Sequence, residues 1–277
     1  MPDSGGVGCT SVTSVRHSHP VVVHGVVEVL LVLGLWVAYS FSRLAADSAV
    51  GAARGRAHAL QALESRLGLG WEHPLNDLIT GDAPLGVFAS YWYAALHYLV
   101  TGGVLVWLFH RGWAPYRRAR RALVLATLMA LVSYLLVPTA PPRYLTGYVD
   151  ALEEYAAQGW WSTDASAPRG LGGLTNELAA FPSLHAGWAL WVALVVQAHA
   201  TRHWVQVLAW DYALCSAVIV VGTGNHWVLD VVGGWVVVLV AWLLAAQAPD
   251  SRFSALRTTA GSVVVHIGGK LALRKPP

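Results

Sequence analysis

Two stretches, Phe181-Pro-Ser-Leu-His185 and Gly222-Thr-Gly-Asn-His226-Trp-Val-Leu-Asp230, each place a histidine at the start of a long apolar segment. The second stretch also places a carboxylate four residues after its histidine. On a helix, residues i and i+4 lie on one face within contact range. The two stretches therefore predict apolar helices whose ends present two histidines and one acidic partner.

The composition indicates that these segments lie in a membrane. Of the 277 residues, 56% are hydrophobic and 12% are charged, with a mean hydropathy of +0.50, whereas a soluble domain carries roughly 25% charged residues. The two cysteines, Cys9 and Cys215, imply no disulfide framework, and we expect Cys215 to be a small core residue. We therefore expect a membrane lipid, and no nucleic acid, as the partner. The sequence leaves the oligomeric state open.

Six apolar segments approach the roughly 20 residues that a helix needs to cross a bilayer. They cover residues 20–41, 84–109, 121–138, 182–199, 204–221 and 226–247. We predict an all-α, six-transmembrane-helix bundle over residues 20–248, preceded by a disordered N-terminus (1–19) and followed by a basic tail (249–277). A signal peptide is the alternative for the first segment, but its apolar run exceeds the usual length of roughly 7–15 residues.

The positive charges predict the orientation of the bundle. Five arginines lie in residues 110–121, five basic residues follow Pro249, and Arg202 lies in the turn before the fifth segment. Because basic segments stay in the cytoplasm, we predict a plasma-membrane protein with both termini inside. Three segments then lie outside: 42–83, 139–181 and 222–225.

The first outer segment contains a predicted interfacial helix over residues 45–69. Leu60, Leu63 and Leu67 fall on one face, and polar residues including Glu64 fall elsewhere, as in helices that lie on a membrane surface. An ordinary loop helix fits the same pattern.

This topology brings three polar clusters to the outer side: Pro138-Thr-Ala-Pro-Pro-Arg143, Pro182–His185 and residues 222–226. In the third cluster, Asp230 can accept the Nδ1–H of His226 and leave Nε2 free as a nucleophile. Gly222 and Gly224 permit close backbone approach to a ligand, and Thr223 and Asn225 supply donors. The alternative is a structural His–Asp hydrogen bond.

The other two clusters have the residue types that bind phosphate. Ser183 can cap a helix whose N-terminus attracts phosphate oxygens, and His185 can protonate a leaving oxygen. The Arg143 guanidinium can hold two phosphate oxygens. A plain capped helix start and an arginine at the membrane interface are the simpler alternatives. For His97, inside the second segment, and Arg169, in the long outer loop, we predict a substrate-path role, with a satisfied core histidine as the alternative for His97.

In these motifs the chain resembles the type 2 phosphatidic acid phosphatase superfamily of membrane enzymes. The family's motifs are Lys-x6-Arg-Pro, Pro-Ser-Gly-His and Ser-Arg-x5-His-x3-Asp, and Pro142-Arg143, Pro182–His185 and His226-x3-Asp230 match them in order. The segments Ala140-Pro-Pro-Arg143 and Phe181–Gly187 resemble the corresponding motifs of the inositol phosphorylceramide synthase branch of this superfamily.

The resemblance implies a reaction without metal or cofactor. His226 would attack phosphorus to form a phosphohistidine, Asp230 would stabilise its imidazolium, and His185 would act as acid and then base. Arg143, Ser183, Thr223 and Asn225 would bind the phosphate.

The chain departs from the family pattern at two cationic positions, because Leu136 and Val220 stand where the motifs place Lys and Arg. Fewer cations favour a phosphodiester over a dianionic monoester. We expect a phosphotransferase or phosphatase that acts on a lipid phosphate or lipid phosphodiester, with inositol or another alcohol as the acceptor of a transfer. The alternatives are a polyprenyl or other lipid phosphate phosphatase and, from different classes, a non-catalytic transporter or a haem-binding membrane protein.

Overall fold

The computed structural model describes residues 19–46, 50–161 and 176–247, and these ranges are predominantly α-helical. The helices are α1 (His19–Ala46), α2 (Val50–Leu67), α3 (Glu72–Gly81), α4 (Ala83–Tyr91), α5 (His97–Arg111), α6 (Trp113–Leu136), α7 (Ala151–Glu154), α8 (Leu184–His199), α9 (His203–Gly222) and α10 (Val228–Gln247). These ranges contain no strand, and Thr139 and Ala179 form an isolated bridge, so the all-α prediction is confirmed. The predicted disordered N-terminus, up to residue 18, and the basic tail lie outside the described residues.

Four helices in the described ranges are long and apolar enough to cross a membrane. They are Ala83–Arg111, Trp113–Leu136, His203–Gly222 and Val228–Gln247, the first being α4 and α5 joined by a π-helical turn. They correspond to four of the six predicted segments. The other two are shorter: α8 has 16 residues, and the described apolar part of α1 covers Glu28–Phe41.

Helix α8 lies in the centre of the bundle, against α5, α6, α9 and α10. Its Trp191 and Val195 are fully buried. Its contact with α10 is made by glycines, since a Cβ on Gly234 would lie 2.1 Å from the Ser183 carbonyl oxygen and one on Gly187 would lie 3.2 Å from the Gly234 carbonyl oxygen. Small residues allow this backbone-to-backbone approach in membrane bundles.

The predicted basic loop of residues 110–121 is mostly helix. Only Gly112, with a φ of 140°, separates α5 from α6, so Arg117 to Arg121 lie in the first turns of α6. The Arg111 guanidinium donates to the His199 carbonyl oxygen over 2.6 Å, and Arg120 pairs with Glu28 of α1. These contacts bring the basic residues together at one end of the bundle, which we call the basic end.

The α2 helix packs on the protein through a face that carries small residues and a glutamate. Its buried residues are Ala53, Ala57 and Glu64, whereas Leu63 and Leu67 are 44% and 57% exposed. Small side chains are buried because the backbone of α2 comes close to the loop after α6, where Ala140 N–H donates to the Ala53 carbonyl oxygen over 3.3 Å. Leu60 is half-buried against the cluster that contains Ala57 and Trp227, so only Leu63 and Leu67 of the three leucines are exposed.

Cys215 is exposed on α9, contrary to the core position expected from the sequence. The face of α9 that packs on the bundle carries Ala209, Ala213, Ser216 and Val220 instead. Cys215 falls on the opposite side of the helix, where the apolar surroundings of a membrane suit it equally well.

Candidate functional site

Three loops meet at the end of the bundle opposite the basic end. The segment after α6 pairs with the segment before α8, since Thr139 N–H donates to the Leu178 carbonyl oxygen over 2.8 Å and Ala180 N–H donates to Thr139 over 3.2 Å. The loop before α10 joins them through Trp227, whose indole N–H donates to the Ala140 carbonyl oxygen over 2.9 Å. The three polar clusters singled out in the sequence therefore form one site.

His226 is 3% exposed, and its two ring nitrogens differ in their surroundings. Nδ1 lies 3.0 Å from the Ala180 carbonyl oxygen and 3.5 Å from Oδ2 of Asp230. Among the described residues, Nε2 has no hydrogen-bond partner. A carbonyl only accepts, so Nδ1 carries the hydrogen and Nε2 has a free lone pair.

Asp230 supports His226 in a way that differs from the sequence expectation. Its Oδ2 accepts the Trp227 backbone N–H over 2.8 Å, and the Ala180 carbonyl oxygen is the nearer acceptor for His226 Nδ1. Asp230 is fully buried, and its own carbonyl oxygen accepts the Ser183 N–H over 2.8 Å. The Asp230 carboxyl group thus fixes the turn that carries His226 and lies beside the ring.

His185 lies between two aromatic rings in the first turn of α8. Its ring stacks on Tyr93 at 4.2 Å between centroids and meets the His97 ring edge-on at 4.2 Å. The His226 ring is 5.7 Å away. Ser183 caps the helix, its hydroxyl oxygen accepting the Ala186 N–H over 3.3 Å. A histidine in the first turn of α8 and a histidine in the loop before α10 therefore lie close together.

His97 belongs to the same cluster, although it comes from the middle of the long helix formed by α4 and α5. The π-helical turn Trp92–Leu96 directly precedes it, and such turns are frequent at functional sites. His97 is 8% exposed, and among the described residues its Nδ1 has no hydrogen-bond partner. Its ring contacts that of His185, which in turn lies 5.7 Å from the His226 ring.

Arg143 is held in place by an acid and an amide. Its Nε lies 3.2 Å from Oδ2 of Asp150, and its guanidinium donates to the Asn225 side-chain oxygen. Arg143 N–H also donates to the Gly224 carbonyl oxygen over 3.0 Å. Asp150 was not among the sequence candidates; the available signal is its place before α7, where its Oδ1 caps Leu152 N–H over 3.0 Å.

The backbone between Gly222 and Asn225 is packed against protein, not open to a ligand as the glycines suggested. A Cβ on Gly224, whose φ is 76°, would lie 2.6 Å from the Val149 carbonyl oxygen, and one on Gly222 would lie 3.1 Å from the Leu75 carbonyl oxygen. The Thr223 hydroxyl is fully buried and donates to the Val220 carbonyl oxygen over 3.2 Å. These residues shape the turn that carries Asn225 and His226.

The buried side chain of Asn76, in α3, binds this turn through hydrogen bonds. Its side-chain nitrogen donates to the carbonyl oxygens of Gly222 and Val149 over 2.9 and 2.8 Å, and its oxygen accepts the Val149 N–H over 2.8 Å. Asn76 therefore links α3, the segment before α7 and the end of α9. Nothing in the local sequence marks it.

Two buried glutamates lie at the start of α10. Glu64 Oε1 accepts the Leu229 N–H over 2.6 Å, and Glu72 Oε1 accepts the Val228 N–H over 3.0 Å. They are 1% and 3% exposed. The sequence placed Glu64 on the solvated side of α2; the available signal is its spacing from the small residues Ala53 and Ala57, which share its face.

A cavity of about 760 Å³ opens beside Arg143. Its walls carry two guanidinium groups, from Arg54 and Arg143, and four carboxyl groups. The acids are Asp150, Glu153, Glu154 and Glu177. Burial and the hydrogen bond to Glu177 raise the pKa of Tyr144, which also lines the cavity, to about 12. Its hydroxyl therefore stays protonated. Arg169, the other substrate-path candidate, lies outside the described residues.

The comparisons with known proteins agree with the motifs. The family model described as the PAP2 superfamily matches residues 58–244, a range that includes every site residue placed above except Arg54. No curated protein and no solved structure matches the chain.

Proposed function

The chain belongs to the PAP2 superfamily, and on that basis we propose that it transfers or hydrolyses lipid phosphate through a phosphohistidine on His226, without a metal. Superfamily membership supports a lipid phosphatase or phosphotransferase. The observation that carries the proposal is the arrangement at His226: Nδ1 is held by the Ala180 carbonyl oxygen and Asp230, while Nε2 has no partner among the described residues.

The first step forms a bond from His226 Nε2 to phosphorus and breaks the bond from phosphorus to the leaving oxygen. His185 gives that oxygen a proton, and Asp230 offsets the positive charge on the phosphorylated imidazole. In the second step His185 takes the proton from water or an acceptor alcohol, which attacks phosphorus and releases His226. Arg143 and Ser183 bind the equatorial oxygens, whose charge develops in both steps.

We propose a phosphodiester as the donor, with inositol phosphate transfer as the specific reaction. Leu136 and Val220 supply no charge where the family motifs have cations, and the Arg143 charge is partly offset by Asp150 at 3.2 Å. The cavity beside Arg143 has more carboxyl than guanidinium groups and suits a neutral polyhydroxylated acceptor better than a second anion. The second candidate is a polyprenyl or other lipid phosphate phosphatase, which the resemblance also supports.

For the membrane arrangement we propose six spans, adding α1 and α8 to the four long helices. The 16 residues of α8 rise about 24 Å, and its central, buried position allows a length somewhat below the bilayer core. The arginines at the basic end support a cytoplasmic location for that end, for both termini, and for an active site on the outer face of the plasma membrane. The exposed Leu63 and Leu67 of α2 support contact with the membrane surface.

The roles of His97 and Arg169 follow from their positions. We assign His97 to the support of His185, whose ring it contacts at 4.2 Å, and a substrate-path role would act through that contact. The contact of Arg169 with a lipid headgroup stays a prediction.

A labelled-lipid assay with purified protein tests the proposal. We expect His226→Ala to abolish both turnover and an acid-labile phosphoenzyme, because no other group replaces the nucleophile. His203→Ala, at the start of α9 near the basic end, is the matched control and keeps wild-type activity. Turnover by His226→Ala at the wild-type rate would reject the scheme.

The same assay separates the two candidate reactions. A labelled phosphodiester donor such as phosphatidylinositol, given with and without an acceptor alcohol, yields a new phosphodiester if the protein is a transferase. If the protein prefers lipid phosphomonoesters to the phosphodiester and releases free phosphate from them, it is a phosphatase instead. Vanadate, which mimics pentacoordinate phosphorus, should inhibit either reaction.

A further inference from the structure

The start of α10 is surrounded by three carboxyl groups that bind successive backbone amides. Asp230 accepts the Trp227 N–H over 2.8 Å, Glu72 accepts the Val228 N–H over 3.0 Å, and Glu64 accepts the Leu229 N–H over 2.6 Å. A helix leaves its first amides without partners inside the helix, and acidic groups there also interact favourably with the helix dipole. His226 directly precedes these amides in the chain, so a displacement of the amides also displaces the His226 side chain.

The two glutamates come from helices that are distant from α10 in the chain. Glu64 lies in the last turns of α2 and Glu72 begins α3, and both are almost completely buried. Their hydrogen bonds to α10 span 165 and 156 residues of chain. Burying two carboxyl groups is costly unless they are paired and hydrogen-bonded, so their placement at these amides calls for a role beyond packing.

We propose that Glu64 and Glu72 are positioning residues that hold the His226–Asp230 pair in its reactive geometry. This inference rests on the proposed function of His226 for its catalytic consequence. Neither glutamate touches the reacting atoms: they bind the backbone of the turn, and the turn carries His226, whose ring lies 5.7 Å from that of His185 between centroids.

The protonation state of Glu64 follows from the groups around it. Burial, followed by the neighbouring Glu72, raises the pKa of Glu64 to about 9. The groups that face Glu64 are Glu72 of α3 and Asp230 of α10, with Tyr148 near by in the segment before α7. Tyr148 is itself hydrogen-bonded to Gln61 and stacked on His73. Near neutral pH Glu64 is therefore protonated, and it adds no negative charge beside Glu72 and Asp230.

The sign of the pH dependence is fixed by the direction of this shift. The folded protein keeps a proton that the unfolded chain releases near the ordinary pKa of 4.5. Its stabilising contribution is complete below that pH and is lost as the pH rises through about 9. Ionised Glu64 would then repel Glu72 and Asp230 and displace the start of α10.

Two substitutions of Glu64 separate positioning from simple packing. Glu64→Gln keeps an acceptor oxygen for Leu229 N–H and cannot ionise, so kcat near neutral pH stays close to wild type and falls less on the alkaline side. Glu64→Ala removes the acceptor, and misplacement of a catalytic group costs up to about 100-fold in kcat. Asp82→Asn is the matched control, because Asp82 caps a different helix, α4, through Leu85 N–H over 2.9 Å.

The experiment measures kcat and the thermal midpoint of the purified full chain against pH. We expect the wild-type midpoint to decline toward alkaline pH, the Glu64→Gln midpoint to decline less, and the Asp82→Asn midpoint to follow wild type. A Glu64→Gln profile identical to wild type, or full activity of Glu64→Ala, overturns the inference. If the wild-type protein does not turn over lipid phosphate, the proposed function is rejected instead. The thermal midpoints need no substrate and still show whether Glu64 titrates as proposed.

Discussion

At the scale of single residues, the orientation of Arg143 decides how phosphate would bind in the proposed reaction. Its guanidinium is shared between the Asp150 carboxylate and the Asn225 side-chain oxygen. Two fixed contacts leave the remaining N–H groups directed to one place, which favours recognition of two oxygens on the same phosphate. Asn225 therefore acts on the substrate mainly through Arg143.

Asn225→Ala tests this role. We expect kcat/KM to fall by roughly 10- to 100-fold, because a hydrogen bond to a charged group contributes about 1.5–3 kcal/mol. Gln206→Ala is the control, since the Gln206 amide donates to the Ala200 carbonyl oxygen over 2.9 Å at the basic end. Unchanged kcat/KM in Asn225→Ala would show that Asp150 alone orients the guanidinium.

Local sequence was sufficient to identify some of the site residues and insufficient for others. The structure brings His185, His226, Asp230 and Arg143 together, as the motifs and their position at helix ends predict. Asn76 and the two glutamates were missed because their partners are 73 to 165 residues away in the chain. Asp150 lies close to Arg143 in the chain but belongs to none of the motifs. No local periodicity records such contacts, and a buried glutamate looks like a solvated one in sequence.

At the scale of helices, the contact between α8 and α10 sets the distance between His185 and the His226–Asp230 pair. Gly234 lies against the backbone of Ser183, the residue that caps α8. This close approach lets Ser183 N–H bond to the Asp230 carbonyl oxygen over 2.8 Å. Any side chain at position 234 would separate the two helices at the site.

Gly234→Ala should lower both the thermal midpoint and kcat. Its Cβ would lie 2.1 Å from the Ser183 carbonyl oxygen, and overpacking of this kind typically costs about 1–3 kcal/mol. Gly102→Ala in α5 is the control, because no atom lies within 4 Å of its added Cβ. There the usual gain of roughly 0.5–1 kcal/mol for alanine over glycine in a helix applies. Equal behaviour of the two variants would contradict the close packing.

The helices could be predicted from the sequence only in part. Four apolar segments are predicted well because length and hydropathy are sufficient signals for a long helix. For α2 the leucines were expected to face the membrane surface, and the sequence did not indicate which residues pack on the protein, where close packing selects Ala53 and Ala57. Residue size at a tight contact depends on the neighbouring backbone, which the sequence of α2 does not contain.

At the scale of the whole molecule, the two ends of the bundle differ in charge and chemistry. Arginines gather at the basic end, and the candidate site occupies the other. The positive-inside rule then predicts that the site faces away from the cytoplasm. Orientation is a property of the chain and membrane together, so labelling in cells is its direct test.

Cysteine labelling in intact cells measures this orientation. In a chain with Cys9→Ser and Cys215→Ser, we expect Val149→Cys, at a position 43% exposed beside the site, to react with an impermeant maleimide. Arg118→Cys, exposed at the basic end, should react only after the cells are permeabilised. The opposite pattern of labelling would invert the proposed topology.

The carboxyl cluster at the start of α10 has a consequence for the order of biosynthesis. Glu64 and Glu72 are made before α10, the last of the described helices, whose amides they bind. Until α10 is inserted, both carboxyl groups lack these partners and remain hydrated. A nascent chain that ends before residue 228 therefore lacks the turn that carries His226 in its final form, and the chain acquires its reactive centre only as synthesis nears completion.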